Sequence, residues 1–489
     1  MKSSRRIGLR AFLVLSSSST VFGAVSNYMW PSPQFDAIER FLYEGTNVFG
    51  SAISALADNC QKRQGPPSST VAAEWLRMTY HDVATHNISD GTGGLDASIF
   101  FELDRAENIG AGNKNSVGDF RNAASKYVSR SDLIAMAAVW GVAACGGPQV
   151  AYRYGRQDAM AAGRLGVPLP QDDLASHTEA FRLQGFTPAE MIGLVACGHT
   201  LGGVRAVDFP NIVVDPANAT IATFDTTPAF DSSIVSEYLD SSTKDPLIRA
   251  TNTNLTSDQR IFGSDNNATM NALNSAGAYF STCSTLLARM IDTVPSSVQL
   301  SSEVNVLPAK VYSAQITVML DSDSTKQLAF TSTLRLTQNN TTIPPNRQVK
   351  LLWCDRQGDF KDCNKITNVA TSPPELISSA QLSPLSRSLK LKFPTYAFQV
   401  PLSANRSVSK FWFEVDEGDG SPATTYDNGG AGYLLDDALI FAPYLSQLTF
   451  PGNQMKSQNL VVGKRLRGEP IIGVYSCSRL LRIGPDTGA

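Results

Sequence analysis

The sequence predicts two halves of different class: a mainly α-helical domain followed by an all-β, sandwich-like domain. Three observations carry this. Apolar residues recur at helical spacing, with helix-start signals, as far as about Thr293. From Val294-Pro-Ser-Ser onward the period falls to two: Ala314, Ile316, Val318 and Leu320 alternate with polar residues, as do Leu389, Leu391 and Phe393, and Phe411, Phe413 and Val415. Clusters of Asn, Pro, Gly and Asp separate these runs, as in a sandwich of short strands. The boundary is expected near residue 296.

In chain order, Lys2, Arg5, Arg6 and Arg10 precede a short apolar run, Ala11 to Val21, interrupted by serines. Small residues at Val21 and Gly23 complete a secretory leader, expected over residues 1–23. The run is too short to span a bilayer, and no other stretch is long and apolar enough for a membrane span. Seven glycosylation sequons, at Asn87, Asn218, Asn254, Asn267, Asn339, Asn340 and Asn405, agree with secretion. So do seven cysteines without metal-ligand spacing, which in an oxidising compartment pair and leave one over. Cys354 and Cys363 close the shortest loop. A net charge of −3 gives nucleic acid no electrostatic footprint.

Helices are expected from Ser32-Pro-Gln-Phe35 to Cys60, from Thr70, and from Ser131 as N-cap. Thr187-Pro188-Ala189-Glu190 is a capping box with Pro at the first helical position, opening a helix towards His199. The second helix holds Arg77-Met-Thr-Tyr80-His81-Asp82. Arg77 and His81 are four apart and share a face. A permanent cation beside a group that exchanges protons near neutrality can deprotonate a small substrate and stabilise the charge that develops. On an isolated helix face the same pair is ordinarily just solvated.

Only four histidines occur, His81, His86, His177 and His199, all in the helical half, so imidazole chemistry is confined there. His199 stands in the small-residue run Gly193-Leu-Val-Ala-Cys-Gly-His-Thr-Leu-Gly-Gly203, which would let a large flat ligand approach the backbone. A second ligand at helical spacing, as zinc would require, is missing from this segment.

Together, Arg77-x-x-Tyr80-His81-Asp82 and Gly198-His199-Thr200 resemble the distal and proximal signatures of the haem peroxidases shared by plants, fungi and bacteria, nearest the secreted fungal branch that includes lignin and manganese peroxidases. The resemblance covers roughly residues 35 to 295 and makes residues 24–295 a haem peroxidase domain, with 296–489 a β domain of unknown role. It implies haem b with His199 as the axial iron ligand, Asp265 as the carboxylate behind that imidazole, and Asp258 as the competing candidate. It implies His81 as the acid–base group for hydrogen peroxide, Arg77 as its electrostatic partner, Asn108 as the residue that orients His81, and Tyr80 in the distal pocket. Two Ca2+ ions are implied, a distal one at Asp82, Gly94, Asp96 and Ser98 and a proximal one at Thr200, Asp225, Thr227 and Asp231. Arg156 matches a structural motif of the family, and Cys60 with Cys145 a fungal disulfide; Cys197 with Cys283 is a further pairing, by helix packing.

Departures bear on the electron donor. Tyr80 stands where the family has Phe or Trp, either as a packing substitute or as an oxidisable phenol. Thr70 and Arg205 replace two of the three manganese-binding acids, leaving Glu74; Leu194 replaces the surface Trp of lignin oxidation; Asp215 lies near the place of the intracellular proximal Trp. The remaining expectation is one-electron oxidation of small phenolic-type donors at the haem edge. The alternatives are a secreted carbohydrate- or cell-wall-associated binding protein with a weakly active haem domain, and a haem-dependent oxygenase on the same scaffold. Trp353 and Trp412 are the rings that would stack on a polysaccharide, against the plainer reading that they pack a core.

Overall fold

In the computed structural model the described residues run from 29 to 479, apart from 48–49, 66–68, 216, 218–219, 321–325, 340–342, 359–360, 362, 364–367, 373–381, 404, 442–446, 450–456 and 465–473. The expected leader lies outside them. No helix among the described residues is long and apolar enough to cross a membrane.

The first half is built from α1 (Pro33–Glu44), α2 (Val71–Val83), α3 (Ala111–Phe120), α4 (Arg130–Ala144), α5 (Leu174–Leu183), α6 (Pro188–His199), the short strands β1 (Gly203–Arg205) and β2 (Ile221–Thr223), then α7 (Ser233–Leu239), α8 (Pro246–Arg249), α9 (Ser257–Phe262), α10 (Ala268–Leu273) and α11 (Ala276–Ile291). At its centre is α4, apolar around its circumference and buried from Ser131 to Ala143, as a helix enclosed on all sides must be. Its N-cap is Ser129, which accepts from Asp132 N, and not Ser131. The Ser131 hydroxyl turns instead to Asp158, 2.8 Å away. α2 lies against α4, close enough that a Cβ on Gly141 would stand 3.2 Å from the Ala72 backbone. Thr70 caps α2, accepting from Ala73 N, and the Thr187 capping box opens α6 as the sequence predicts.

The second half holds β3 (Ala309–Leu320), β4 (Lys326–Leu336), β5 (Gln338–Asn339), β6 (Gln348–Cys354), β7 (Asn368–Ser372), α12 (Pro384–Ser388), β8 (Leu391–Lys392), β9 (Thr395–Leu402), β10 (Lys410–Asp416), β11 (Thr424–Tyr426), β12 (Tyr433–Leu434), β13 (Leu439–Phe441), β14 (Gln447–Thr449), β15 (Ser457–Lys464) and β16 (Val474–Arg479). One sheet runs β11-β10-β6-β7 with β12 on β10; the other runs β14-β15-β13-β3-β4-β9 with β16 on β15. Pairing is antiparallel except between β13 and β3. The two sheets face each other across one apolar layer: Phe330 of β4 meets Phe411 of β10 at 5.2 Å between ring centroids, and Phe398 of β9 meets Phe413 at 5.8 Å. In β10 the alternation is complete, with Phe411, Phe413 and Val415 buried. Trp353 is buried in this core and Trp412 is packed against it, so core packing accounts for both rings.

One alternating run has a different fate. Leu391 and Phe393 do not join the sandwich but enter the helical core together with Leu385 of α12. The physical reason is that α12 lies against α1, α4 and the 3-10 turn at Ile53–Cys60, with Ser386 Oγ donating to the Tyr43 carbonyl at 2.6 Å. In return, Trp30 packs edge-on against Phe411 and Tyr433 of the β core. Between the halves lies a buried charge cluster. Arg335 of β4 donates to Glu39 at 2.6 Å and to Glu44 at 2.7 Å, and Lys310 of β3 donates to Glu39 at 2.8 Å; all four residues are at most 3% exposed. The halves therefore interlock well beyond a junction at residue 296.

Three disulfides join Cys60 to Cys145, Cys197 to Cys283 and Cys354 to Cys363. The seventh, Cys477, falls in β16, whose side chains lie outside the described residues.

Candidate active site

A cavity partly open to solvent separates α2 from α6. Its walls are mostly apolar, with Leu76, Val167, Pro168, Leu194, Val195 and Leu201 among them. Arg77, Tyr80 and His81 of α2 line one side, and Gly198 and His199 of α6 line the other.

On the α2 side, helical spacing brings Arg77 Nε to 3.2 Å from His81 Nε2. Guanidinium nitrogen only donates, so Nε2 holds its lone pair here and the proton sits on Nδ1. Nδ1 lies 2.7 Å from Asn108 Oδ1. Asn108 in turn donates from Nδ2 to the Glu102 carbonyl at 3.1 Å, which fixes its oxygen towards the imidazole. Arg77 also donates to the Ile109 carbonyl at 3.2 Å and lies over the Phe209 ring at 5.3 Å. Burial and then the Arg77 charge push the His81 pKa down to about 3, leaving a neutral imidazole across the physiological range. Tyr80 stacks on Phe181 at 5.7 Å, and its buried hydroxyl faces Gln184 without closing a hydrogen bond of good geometry. Burial raises the phenol above its ordinary range.

On the α6 side, His199 is the last helical residue, and its ring stacks on Phe224 at 4.2 Å. Its Nδ1 lies 2.5 Å from Asp258 Oδ2. This corrects the expectation for Asp265, which begins the turn into α10 and accepts from Thr269 N at 2.9 Å. The two aspartates are seven residues apart, and α9 turns only Asp258, 1% exposed, inward. Burial raises the Asp258 carboxyl, but His199 outweighs it and holds the group below its ordinary value. A neighbour that the sequence reading missed, Asp245, is fully buried and is pushed well above its ordinary value by burial and by the Asp258 charge. Phe224, Phe209, Asp245 and Asn113 carried no local signal, because each reaches the site through a fold-level contact.

A porphyrin fits these walls. A Cβ built on Gly198 meets no atom within 4 Å, so the backbone beside His199 is open to the cavity. His199 leaves Nε2 for an iron ion while Asp258 takes Nδ1.

The first candidate cation set is gathered on the loop after α2. Asp82 accepts from Asp96 N at 3.0 Å, Ala97 N at 2.7 Å and Ile99 N at 2.8 Å. Gly94 adopts φ +110°, and a Cβ there would lie 2.7 Å from the Thr293 carbonyl, so only glycine fits. Burial and then the Asp96 charge raise Asp82 well above its ordinary value, and the buried Ser98 hydroxyl faces Asp96 without closing a hydrogen bond of good geometry. Two carboxylates beside one another, hydrogen-bonded to backbone but with no cationic side chain paired to them among the described residues, suit a hard cation. The second set follows His199. Thr200 Oγ1 donates to the Asp231 carbonyl at 2.8 Å, Asp225 Oδ1 accepts from Thr227 N at 3.0 Å, and Thr227 Oγ1 donates to Asp231 Oδ2 at 2.9 Å. Burial, then Asp231 and Glu237, push Asp225 up to about 7. Among the described residues no three His, Cys, Asp or Glu side chains converge on one point; both sets depend on hydroxyl and carbonyl oxygens as well. Arg156 is structural, buried between Asp132, 3.0 Å away, and the Ile291 carbonyl.

Residues 53–278 match the family model described as peroxidase. A WSC domain-containing protein of Arthroderma benhamiae is 33% identical over 395 residues, covering 80% of this chain and 53% of that protein. This alignment is longer than the family match, so the likeness runs past the helical half. The peroxisomal L-ascorbate peroxidase 5 of Arabidopsis thaliana is 32% identical over 137 residues, 28% of this chain and 49% of that protein. The lignin-forming anionic peroxidase of Nicotiana tabacum is 27% identical over 172 residues, 32% of this chain and 51% of that protein. The chain spans about half the length of these curated relatives.

Proposed function

We propose, from the match of residues 53–278 to the family model described as peroxidase, that this protein is an extracellular haem peroxidase that uses hydrogen peroxide to oxidise small phenolic-type donors in one-electron steps. The single observation that carries this reading is the polarity of His81. With Nδ1–H turned to Asn108 and the Nε2 lone pair at the cavity beside Arg77, the imidazole is poised to accept a proton there.

Haem b, when bound, supplies the redox chemistry by which peroxide is reduced and the donor oxidised. This chain would hold it through His199 Nε2, with Asp258 strengthening the imidazole as a donor. At the opposite wall, His81 Nε2 takes the proton from one peroxide oxygen and returns it to the oxygen that departs as water. Arg77 offers its guanidinium to the negative charge that accompanies this transfer. Apolar walls keep bulk water from competing for that charge. Phenolic donors reach the open side of the cavity; Thr70 and Arg205 stand where manganese binding would need acids. Two Ca2+ ions at the sets described would pin the loop leaving α2 and the segment following His199. Three disulfides accord with an oxidising compartment and so with secretion.

The test is an absorption spectrum of the purified full chain loaded with haem, before and after one equivalent of hydrogen peroxide. The expected result is a spectrum that shifts on peroxide and returns on adding a phenol. A spectrum that peroxide leaves unchanged refutes the proposal and favours the binding-protein alternative, in which the β domain contacts cell-wall polysaccharide.

A further inference from the structure

His81 Nδ1 has a second neighbour. Asn113, in the first turn of α3 and 1% exposed, places its amide Nδ2 3.3 Å from Nδ1, and its own Oδ1 is buried without a donor. Two constraints already fix the imidazole: Arg77 donates to Nε2, and the Asn108 oxygen, locked by Glu102, faces Nδ1. Nδ1 therefore carries a proton, and a second N–H cannot point at it. Turning the Asn113 amide over removes this clash and gives up only the long contact, 3.5 Å, from Nδ2 to the Asn108 carbonyl. The O and N of an amide are interchangeable by such a flip.

We propose that Asn113 is a second positioning residue for His81, its amide oxygen accepting the same Nδ1–H that Asn108 accepts. The paired acceptors hold the ring from two elements, the 3-10 turn at Ala106–Asn108 and the helix α3. Rotation of the imidazole about χ2 then breaks two contacts instead of one, and Nε2 stays aimed at the cavity. This rests on the reading of His81 as the proton-accepting group, but its test does not need catalysis.

The full chain, labelled with 15N-histidine and free of haem, has four imidazoles, so the His81 ring proton can be assigned by comparison with His81→Gln. Asn113→Leu should speed exchange of the Nδ1 proton with water by about three- to tenfold, the range expected for one neutral hydrogen bond. Asn113→Asp keeps the acceptor and should move that proton further downfield. Asn108→Leu alone should leave the proton observable, and Asn108→Leu with Asn113→Leu should lose it. If Asn113→Leu does not fold, the Asp variant decides alone. An unchanged proton shift in Asn113→Asp, or unchanged exchange in a folded Asn113→Leu, overturns the proposal. In the haem-loaded chain, the rate with peroxide should fall by a similar factor in Asn113→Leu. If no variant nor the parent reacts with peroxide while the exchange result holds, the peroxidase reading fails and the positioning of His81 stands.

Discussion

The buried charges between the two halves set up a quantitative prediction for Arg335→Met. Arg335 is fully buried and donates to Glu39 at 2.6 and 3.1 Å and to Glu44 at 2.7 Å. Removing its charge leaves two glutamates, each at most 1% exposed, with Lys310 as the remaining buried cation of the cluster. Breaking a buried pair by deleting one partner costs about 3–5 kcal/mol. The pKa of Glu39 reports the combined effect of both cations on that carboxylate. Burial raises it, but Lys310 and Arg335 outweigh burial and bring it from 4.5 down to about 2. At 1.36 kcal/mol per pKa unit, that is about 3 kcal/mol favouring the charged, folded form. The folded value is depressed, so this contribution is present above about pH 4.5 and is lost as pH falls towards 2. For a cooperative unit of 150–250 residues, 3–4 kcal/mol lowers Tm by roughly 6–16 °C. Calorimetry at pH 7 measures the shift. Arg335→Met with Glu39→Gln should cost less than the sum of the two single variants, because their penalties overlap. A shift below about 2 °C in Arg335→Met, or strict additivity in the pair, would falsify the view that the cluster holds the halves together.

The remaining predictions concern the site. Asp258→Asn should weaken haem retention by about 10- to 100-fold, while Asp265→Asn leaves it unchanged; haem titration followed by absorbance compares them. His81→Ala should slow the reaction with peroxide by about 10²–10⁴ with haem still bound, as stopped-flow absorbance would show. Because burial and Arg77 hold the His81 pKa near 3, the base is available above that value. The rate with peroxide should stay flat from about pH 8 down to 4 and fall below it; a midpoint near 6.5 would mean an unperturbed imidazole. Burial and the neighbouring acids hold Asp225 up to about 7, so a Ca2+ ion bound there would displace its proton, and on the proposed reading the Tm loss on chelation should diminish as pH falls through 7.

Much of the site was legible because its strongest signals are local. Arg77 and His81 share a helical face by spacing alone, and the capping box at Thr187 places His199 at the end of its helix. The carboxylate behind His199 was misassigned to Asp265 because nothing local separates it from Asp258. Both sit in a short polar segment, and the decision belongs to the angle at which α9 enters the core. Asn113 was missed for a related reason: an Asn in a polar, glycine-containing helix start looks solvated until α3 is laid across α2. The alternation of Leu389, Leu391 and Phe393 was read as a sandwich strand, since period two does not reveal which apolar layer receives the buried side.

By itself the sequence determined the class of each half, the two helix faces that confront each other across the cavity, and the likeness to peroxidases. These follow from periodicity, capping and short motifs, whose physics acts over a turn or two of chain. Tertiary structure alone decided which aspartate meets His199, that the Asn108 amide oxygen meets His81, and that the halves exchange Trp30 and α12 around a buried ion cluster. Each depends on groups brought together across long stretches of chain, Glu39 to Arg335 above all. Their pairing is set by desolvation, which makes an unpaired buried charge too costly to leave, and that cost exists only once the surrounding layers have packed.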